Sequence, residues 1–234
     1  MKIALIGYGK MGKAIEGIAI ERGHEIVEKV DVDGNWDEVD TADAAIEFTM
    51  PKSAVGNIEK CFSLNVPIVV GTTGWYDEFE RIKTKCLDEK QALFTATNFS
   101  IGVNVFFEIN KKLAQLMNPH REYEVTMEET HHIHKLDSPS GTGITLANGI
   151  LENLERKTAW TEAENTTPNQ LKISAFREGE VPGTHKVKYE SEIDTIEIIH
   201  EAKNRKGFAL GAVLAAEWIA DKKGVFGMKD LLNL

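Results

Sequence analysis

The stretch Gly7-Tyr8-Gly9-Lys10-Met11-Gly12 matches the pattern G-x-G-x-x-G and decides the fold of the N-terminal half. A short apolar run, Lys2–Ile6, precedes it and predicts a buried strand, while Met11–Arg22 follows with helical spacing. In this context the first glycine permits a tight turn, the second lets backbone approach a pyrophosphate, and the third lets helix and sheet pack closely. The stretch therefore predicts a strand, a turn and a helix whose N-terminus faces phosphates.

The chain up to residue 98 continues to alternate strand-like and helix-like segments. Gly23 is placed just after the first helix, and Pro51 suits a first helical turn. This order predicts an α/β fold with a parallel sheet and helices on both faces. The further predicted elements are strands at Glu25–Val30, Ala44–Thr49, Val66–Val70 and Ala92–Thr97, and a charged helix at Tyr76–Lys90.

Several polar segments follow the predicted strands at the edge where open α/β sheets bind ligands. Asp31 ends the second strand, where an acidic residue can accept hydrogen bonds from an adenosine ribose. Gly71-Thr72-Thr73-Gly74 ends the fourth strand, and Thr95-Ala96-Thr97-Asn98-Phe99 ends the fifth. Both segments are candidates for the nicotinamide side of a dinucleotide site, although ordinary turns explain the spacing equally well.

The central part of the chain changes rhythm after residue 98. Strand-like runs rich in β-branched residues predict an antiparallel or mixed sheet. A final apolar segment, Phe208–Ile219, predicts a helix that packs back on the first domain. The other predicted elements are helices at Val103–Met117 and Gly141–Leu154, strands at Tyr123–Glu129, Leu171–Arg177, His185–Glu192 and Thr195–His200, and a polar loop at Trp160–Gln170.

Composition narrows the class of protein. The net charge of −10 argues against general nucleic-acid binding, because phosphate backbones need a basic face. The two cysteines, Cys61 and Cys86, form no C-x-x-C pair and read as small core residues. No segment reaches the ~20 apolar residues of a membrane span. We expect a cytoplasmic protein with no membrane partner.

The segment His131-His132-Ile133-His134-Lys135 concentrates proton donors and positive charge in an acidic chain. It runs into Pro139-Ser140-Gly141-Thr142, in which Ser140 is a plausible N-cap. The N–H groups of Gly141 and Thr142 would then bind an anion such as a carboxylate or phosphate. The segment therefore predicts an anion site with groups that can transfer a proton. Arg205 and Lys206 either add charge to this site or face solvent.

Two other chemistries are weaker for the same segment. His131, His132 and His134 with Glu128 or Glu129 offer zinc ligands, but the spacing is not H-E-x-x-H, and neighbours on a strand point to opposite faces. A nucleophilic hydrolase would need a G-x-S-x-G turn around Ser138 or Ser140, which this sequence lacks. We predict no metal site.

Taken together, these motifs resemble the dihydrodipicolinate reductase family over nearly the whole chain. The most specific part is His131-His132 with Lys135, followed by Asp137-Ser138-Pro139-Ser140-Gly141-Thr142. The other matching segments are Gly7–Gly12, Gly71–Gly74, Asn98–Gly102 and Ala212–Leu234.

The resemblance implies an N-terminal Rossmann domain completed by the C-terminal helix, from residues 1–99 and 208–234. It also implies a central α+β domain with a mixed sheet, residues 100–207, which binds substrate and forms a homotetramer. The implied reaction is reduction of 4-hydroxy-tetrahydrodipicolinate, or the dihydrodipicolinate derived from it, to tetrahydrodipicolinate with NADH or NADPH, in lysine and diaminopimelate biosynthesis.

The resemblance also implies roles for individual residues. His131 would be the catalytic proton donor or acceptor, and Lys135 a catalytic proton donor. The predicted substrate-binding residues, which hold a small dicarboxylate, are His132, Lys135, Ser140, Gly141, Thr142 and Arg205. The predicted cofactor-binding residues are Gly7, Tyr8, Gly9, Lys10, Met11, Gly12, Asp31, Gly71, Thr72, Thr73, Ala96, Thr97, Asn98 and Phe99.

One position departs from the family pattern. Val32 follows Asp31, where many members carry an Arg that meets a 2′-phosphate, so NADH or dual use is expected, with Lys10 or Lys29 able to compensate. Two other functions are open: a different two-domain dehydrogenase, or an NAD-binding redox sensor. Neither accounts for the His-His-Lys run before Pro-Ser-Gly-Thr.

Overall fold

The computed structural model describes residues 1–32, 34–204 and 206–234. The chain forms two units, one from Met1–Ile101 with Lys206–Leu234 and the other from Gly102–Arg205. The N-terminal segment contains β1 (Lys2–Ile6), α1 (Lys10–Glu21), β2 (Glu25–Val30), β3 (Ala44–Glu47), α2 (Pro51–Ser63), β4 (Ile68–Val70), α3 (Phe79–Asp88) and β5 (Ala92–Thr95). Short 3-10 turns at Val39–Thr41 and Tyr76–Glu78 precede β3 and α3.

The central segment follows with two helices and five strands. They are α4 (Ile101–Met117), β6 (Glu124–His131), α5 (Gly141–Leu151), β7 (Ala159–Thr161), β8 (Gln170–Arg177), β9 (Thr184–Glu190) and β10 (Thr195–Glu201). The chain then returns to the first unit through α6 (Lys206–Ile219), β11 (Gly224–Phe226) and α7 (Met228–Leu232).

The sheet of the first unit has six strands in the order β11-β5-β4-β3-β1-β2, and all neighbours are parallel. The strand β1 is covered on both faces, which explains its continuous apolar run. Ile3 and Leu5 pack toward α1 and α6, whereas Ala4 and Ile6 pack toward α2 and α3. The chain leaves β1 for β2 on one side, and β3 pairs on the other, so the order reverses at β1, where such sheets bind ligands.

The predicted α/β class with a Rossmann-like sheet is confirmed, and the C-terminal part adds more than the expected helix. After α6, the strand β11 pairs with β5 and extends the sheet. We missed β11 because three residues, Gly224–Phe226, are too short for a period to be seen. Close packing fixes α6 at Gly211, where an added Cβ would lie 1.8 Å from the Phe99 carbonyl oxygen.

The sheet of the second unit is mixed, with the order β10-β9-β6-β8-β7. The strand β6 pairs antiparallel with β9 and parallel with β8. The predicted loop at Trp160–Gln170 was wrong at its start, because Ala159–Thr161 forms the edge strand β7 parallel to β8. This strand has only three residues, Ala159–Thr161, which is too short for an alternation of apolar and polar residues to be seen.

Alternation along β6 determines which side chains face the interior. Val125 and Met127 pack in the apolar core of the second unit. Glu129 and His131 continue the same face and are also buried, at 1% and 7% exposure. Two ionisable side chains therefore occupy the last two positions of a row that otherwise faces the core. Burial of their charged forms is unfavourable unless they have polar partners.

No helix in the described part of the chain has the length and apolarity needed to cross a membrane. Cys61 and Cys86 are both buried and unpaired, as predicted for core residues.

Candidate functional site

The glycines of the first loop meet different structural needs. Gly7 has a φ of 95°, and an added Cβ there would lie 2.2 Å from the Phe48 carbonyl oxygen. At Gly12 an added Cβ would lie 2.3 Å from the Gly7 carbonyl oxygen, so any side chain would push α1 away from β1. The fold itself therefore requires the first and third glycines.

Gly9 differs, because among the described residues no atom beyond its two chain neighbours lies within 4 Å of the position that its Cβ would take. It is the N-cap of α1 and makes no side-chain capping bond. The helix N-terminus opens there into a groove of about 380 Å³, and such a terminus suits a phosphate. Its lining residues are Gly9, Lys10, Met11, Phe48, Thr49, Pro51, Gly71, Thr72 and Thr73. This loop fits the pyrophosphate of a dinucleotide.

Alanine at Gly9 is expected to weaken NADH binding by about tenfold or more and to leave the fold intact, because its methyl group would occupy only ligand space. Alanine at Gly12 is expected to cost about 1–3 kcal/mol of folding free energy through overpacking. Calorimetric titration with NADH and urea unfolding of both variants test this contrast. Unchanged NADH affinity in Gly9→Ala would contradict it.

A buried carboxyl lies beneath this groove. Glu47, at the end of β3, is 0% exposed, and its Oε1 accepts hydrogen bonds from the hydroxyls of Thr49 and Thr72, the latter at 3.1 Å. The Thr72 hydroxyl in turn accepts from the Thr49 amide at 2.8 Å. Burial outweighs these bonds and raises the pKa of Glu47. The carboxyl thus joins the loops after β3 and β4, two walls of the groove.

We expect Glu47→Gln to be at least as stable as the wild type at pH 7. A raised pKa means that the folded state keeps a proton which the unfolded state has lost, so the wild type loses stability as pH rises from about 4.5 through the raised pKa. Glutamine removes this loss. Glu59→Gln is the matched control, because Arg81 lowers the pKa of Glu59 and the effect has the opposite sign. Urea midpoints from pH 4 to 8 measure both variants.

The adenosine side of the predicted cofactor site has a negatively charged residue, Asp31, and a positively charged residue, Lys29. Asp31 follows β2, is exposed, and accepts the Val32 amide at 2.9 Å. Lys29 lies 2.5 Å from Glu16 and 4.9 Å from the ring centre of Tyr8, whose hydroxyl also donates to Glu16. The Lys29 ammonium is therefore already neutralised within the chain.

The remaining predicted cofactor residues divide between open and packed positions. Thr73 and Thr97 are exposed, whereas Ala96 and Asn98 are partly buried. At Gly71 an added Cβ would lie 2.1 Å from the Phe48 ring, so a side chain there would require that ring to move. Phe99 is 2% exposed and belongs to the core of the first unit.

A second polar cluster lies at the end of β6 in the second unit. His131 Nε2 is 3.4 Å from Nε2 of His185 on β9, and the two rings meet edge to face. His185 Nε2 is also 3.1 Å from the Ser140 hydroxyl and 3.7 Å from Glu129 Oε2. Gly183 packs against the His131 ring, where an added Cβ would lie 2.9 Å from Cε1. We call Glu129, His131, Ser140 and His185 the histidine cluster.

Ser140 joins the histidine cluster to the helix α5. Its hydroxyl accepts the Gly143 amide at 3.0 Å, which confirms the predicted N-cap. The same hydroxyl donates to Glu129 at 2.6 Å, and the Ser140 amide donates to both Glu129 oxygens at 2.9 and 3.1 Å. Ser140 is 2% exposed, so its polar atoms are directed into the protein.

Both ionisable groups at the end of β6 have shifted pKa values. Burial by itself raises the pKa of Glu129, but the neighbouring His185 ring at 3.7 Å and the hydrogen bonds from Ser140 outweigh it and lower the pKa to about 2. Burial and the charge of His185 lower the pKa of His131 to about 4, against the opposing effect of Glu129. At neutral pH the carboxylate is therefore ionised and the His131 ring is neutral.

The loop that follows β6 contains a positively charged residue, Lys135, and a negatively charged residue, Asp137, and it borders the histidine cluster. Lys135 donates to both oxygens of Asp137 at 2.8 Å, and its side chain is 21% exposed. Arg177 on β8 holds this loop through the carbonyl oxygens of Lys135 and Asp137, at 3.2 and 2.6 Å, and lies 3.7 Å from Glu129. A ligand anion would therefore compete with Asp137 for Lys135.

The other predicted substrate residues are close to this loop in sequence, and they differ from one another in how exposed they are. His132 is partly buried, and its Nδ1 has no partner among the described residues. His134 is exposed and lies 3.2 Å from Glu180. Gly141 and Thr142 form the first turn of α5, where N–H groups lack helical acceptors. Arg205 lies outside the described residues.

Sequence reasoning missed His185 and Arg177. His185 occupies an inward position of β9, in phase with Val187 and Tyr189, and this alternation was the available signal. Among the described residues, Glu129, His131 and His185 form the one group whose donor atoms come together closely enough for a metal ion, within 4.8 Å. Both Glu129 oxygens already accept hydrogen bonds from Ser140, so this carboxylate is occupied within the chain.

Comparisons with known proteins show which family this chain resembles in sequence. Family models described as dihydrodipicolinate reductase, N-terminus, and dihydrodipicolinate reductase, C-terminus, match residues 1–99 and 102–232. A 4-hydroxy-tetrahydrodipicolinate reductase from Christiangramia forsetii is 52% identical over 235 residues, covering 100% of this chain and 98% of the relative. One from Neisseria meningitidis is 32% identical, covering 94% and 84%.

A solved structure shows the same fold. It is a dipicolinate-bound dihydrodipicolinate reductase from Paenisporosarcina sp. TG-14, which superimposes with a TM-score of 0.77 at 21% identity and 98% coverage of both chains.

Proposed function

The chain belongs to the dihydrodipicolinate reductase family, and we propose that it reduces 4-hydroxy-tetrahydrodipicolinate, or the dihydrodipicolinate derived from it, to tetrahydrodipicolinate with NADH or NADPH. This reaction belongs to lysine and diaminopimelate biosynthesis. The observation that carries the proposal is the full-length identity of 52% to a reductase of that name. The two sites described above supply the chemistry that this reaction needs.

The second unit offers the groups that a ring with two carboxylates requires. In the proposed complex Lys135 leaves Asp137 for a substrate carboxylate, and His132 and the first-turn amides of α5 bind the remaining charge. Arg205 is proposed for the same role from sequence alone. The dipicolinate in the Paenisporosarcina relative is a planar ring of this kind, which supports a dicarboxylate as ligand.

His131 is the proposed proton donor. Bound NAD(P)H supplies a hydride, and the reduced ring then needs a proton. His131 is buried and neutral when no ligand is bound. The negative charge of the substrate favours an additional proton in the histidine cluster, so binding prepares the acid. Lys135 lies close in sequence and is the second proposed donor.

A coupled assay tests the function. The synthase that forms the substrate is supplied in excess, and loss of NADH or NADPH absorbance is followed on addition of this protein. We expect turnover that depends on both cofactor and synthase, and inhibition by dipicolinate that competes with substrate. Cofactor binding without turnover would instead indicate a redox sensor, and turnover of another substrate would indicate a different dehydrogenase.

NADH is expected to bind at least as well as NADPH. A 2′-phosphate beside the Asp31 carboxylate costs about 1–3 kcal/mol, or roughly tenfold to a hundredfold in affinity. Lys29 is held by Glu16, and Val32 is 87% exposed with no charge to offer. Calorimetry with both cofactors measures the preference, and Val32→Arg should move it toward NADPH. Much tighter NADPH binding by the wild type would contradict this prediction.

We further propose a cytoplasmic homotetramer formed through the second sheet. By strand register, Phe176 and Ile199 share the face opposite the core, with exposures of 46% and 56%. In the proposed assembly a second copy of the chain covers these two apolar side chains. Sedimentation equilibrium of the wild type and of Ile199→Glu tests the assembly.

A further inference from the structure

Two imidazoles in the histidine cluster face each other through the same ring atom. His131 and His185 approach with their Nε2 atoms 3.4 Å apart, and both side chains are buried. Two lone pairs or two N–H groups cannot face each other favourably, so one nitrogen carries a proton and the other accepts it. This geometry connects the proposed proton donor to a second imidazole.

The groups around His185 favour placing the proton between the two rings on His185 Nε2 rather than on His131 Nε2. The Glu129 carboxylate lies 3.7 Å from His185 Nε2, and the Ser140 hydroxyl lies 3.1 Å from the same atom. Positive charge facing His131 comes from Lys135 and Arg177 in addition to His185. His200, on β10, pairs in register with His185 and is the further titratable group beside it.

We propose that His185 is a positioning residue that stores the proton used by His131 in the proposed reduction. In the step itself, His131 Nδ1–H breaks and a C–H bond forms on the reduced ring, while the proton on His185 Nε2 moves to His131 Nε2. The imidazolium of His185 becomes neutral as the negative charge on the ring is removed, so charge balances. After product release, a proton from water returns to His131 Nδ1, and the Nε2 proton moves back to His185.

The test compares His185→Gln with His200→Gln, its cross-strand neighbour, in the coupled assay. We expect kcat to fall by about 10²-fold in the His185 variant, with dipicolinate and NADH dissociation constants within threefold of wild type. The dependence of kcat on pH should also change. His200→Gln should behave as wild type. In His185→Ala, added imidazole should restore turnover in a saturable way.

A second measurement does not depend on turnover. The ring of His131 is titrated by NMR in the wild type and in His185→Gln, where loss of the neighbouring charge should raise the His131 pKa. An unchanged titration, a kcat within threefold of wild type, or a loss of turnover that imidazole does not restore would overturn the inference. This inference rests on the proposed function. Absence of wild-type turnover would contradict that function alone, because the NMR titration still tests the interaction between His131 and His185.

Discussion

Alanine at Lys135 or His131 is expected to lower kcat by about 10²-fold or more while the chain remains folded. His131 ends the buried face of β6 and is the proposed acid, so its loss removes a proton donor. Lys135 carries the charge that binds a carboxylate, since its ammonium already holds both oxygens of Asp137 at 2.8 Å. The two variants should therefore differ in binding although both lose turnover.

Dipicolinate binding separates the two roles. Lys135→Ala should weaken it by about tenfold or more, whereas His131→Ala should leave it within a few-fold of wild type, because Lys135 is proposed to pair with a ligand carboxylate and His131 is not. His134→Ala and Lys186→Ala are matched controls, since His134 is exposed beside Glu180 and Lys186 pairs with Glu128. Steady-state kinetics and calorimetry measure these effects. A variant of Lys135 or His131 with near wild-type kcat would remove that residue from the mechanism.

The fold of the first unit could be predicted because its main elements have recognisable local sequence patterns. Four consecutive apolar residues, Ile3–Ile6, predict a strand buried on both faces, and the structure gives each of them 0–1% exposure. The glycine loop adds a stereochemical requirement at Gly7 that few other residues satisfy. In contrast, β7 and β11 have three residues each, and pairing with a longer strand, rather than their own pattern, forms them.

The histidine cluster could be predicted only in part. His131 and Lys135 stand out because they are close together in sequence, but His185 lies 54 residues from His131 and reaches it only through the pairing of β6 with β9. The role of Glu129 could not be predicted from the sequence either, because it depends on hydrogen bonds from the Ser140 amide and hydroxyl. Sequence proximity therefore indicated the proton donors, while strand register supplies the groups that control their protonation.

Glu129→Ala is expected to cost about 3–5 kcal/mol of folding free energy, because it removes the central acceptor of a buried polar cluster. The Ser140 amide and hydroxyl would lose their acceptor, and His185 would lose the carboxylate beside it. Glu129→Gln is the matched variant, since its amide oxygen can still accept from Ser140 and its cost should be about 1–3 kcal/mol. Urea unfolding at pH 7 measures both. A loss below 1 kcal/mol in the alanine variant would contradict the role of the cluster.

The dependence of this cost on pH gives a stricter test. The pKa of Glu129 is lowered from 4.5 to about 2, so the folded state binds fewer protons and its advantage disappears as pH falls through that interval. The pKa of His131 is lowered from 6.5 to about 4, and stability is lost on acidification through this higher interval. Glu129→Gln should therefore flatten the stability curve below about pH 4.5 and keep the loss between 6.5 and 4, whereas His131→Gln should remove that upper loss. If both variants lost stability in parallel with the wild type across the two intervals, neither group would be the source of the acid sensitivity.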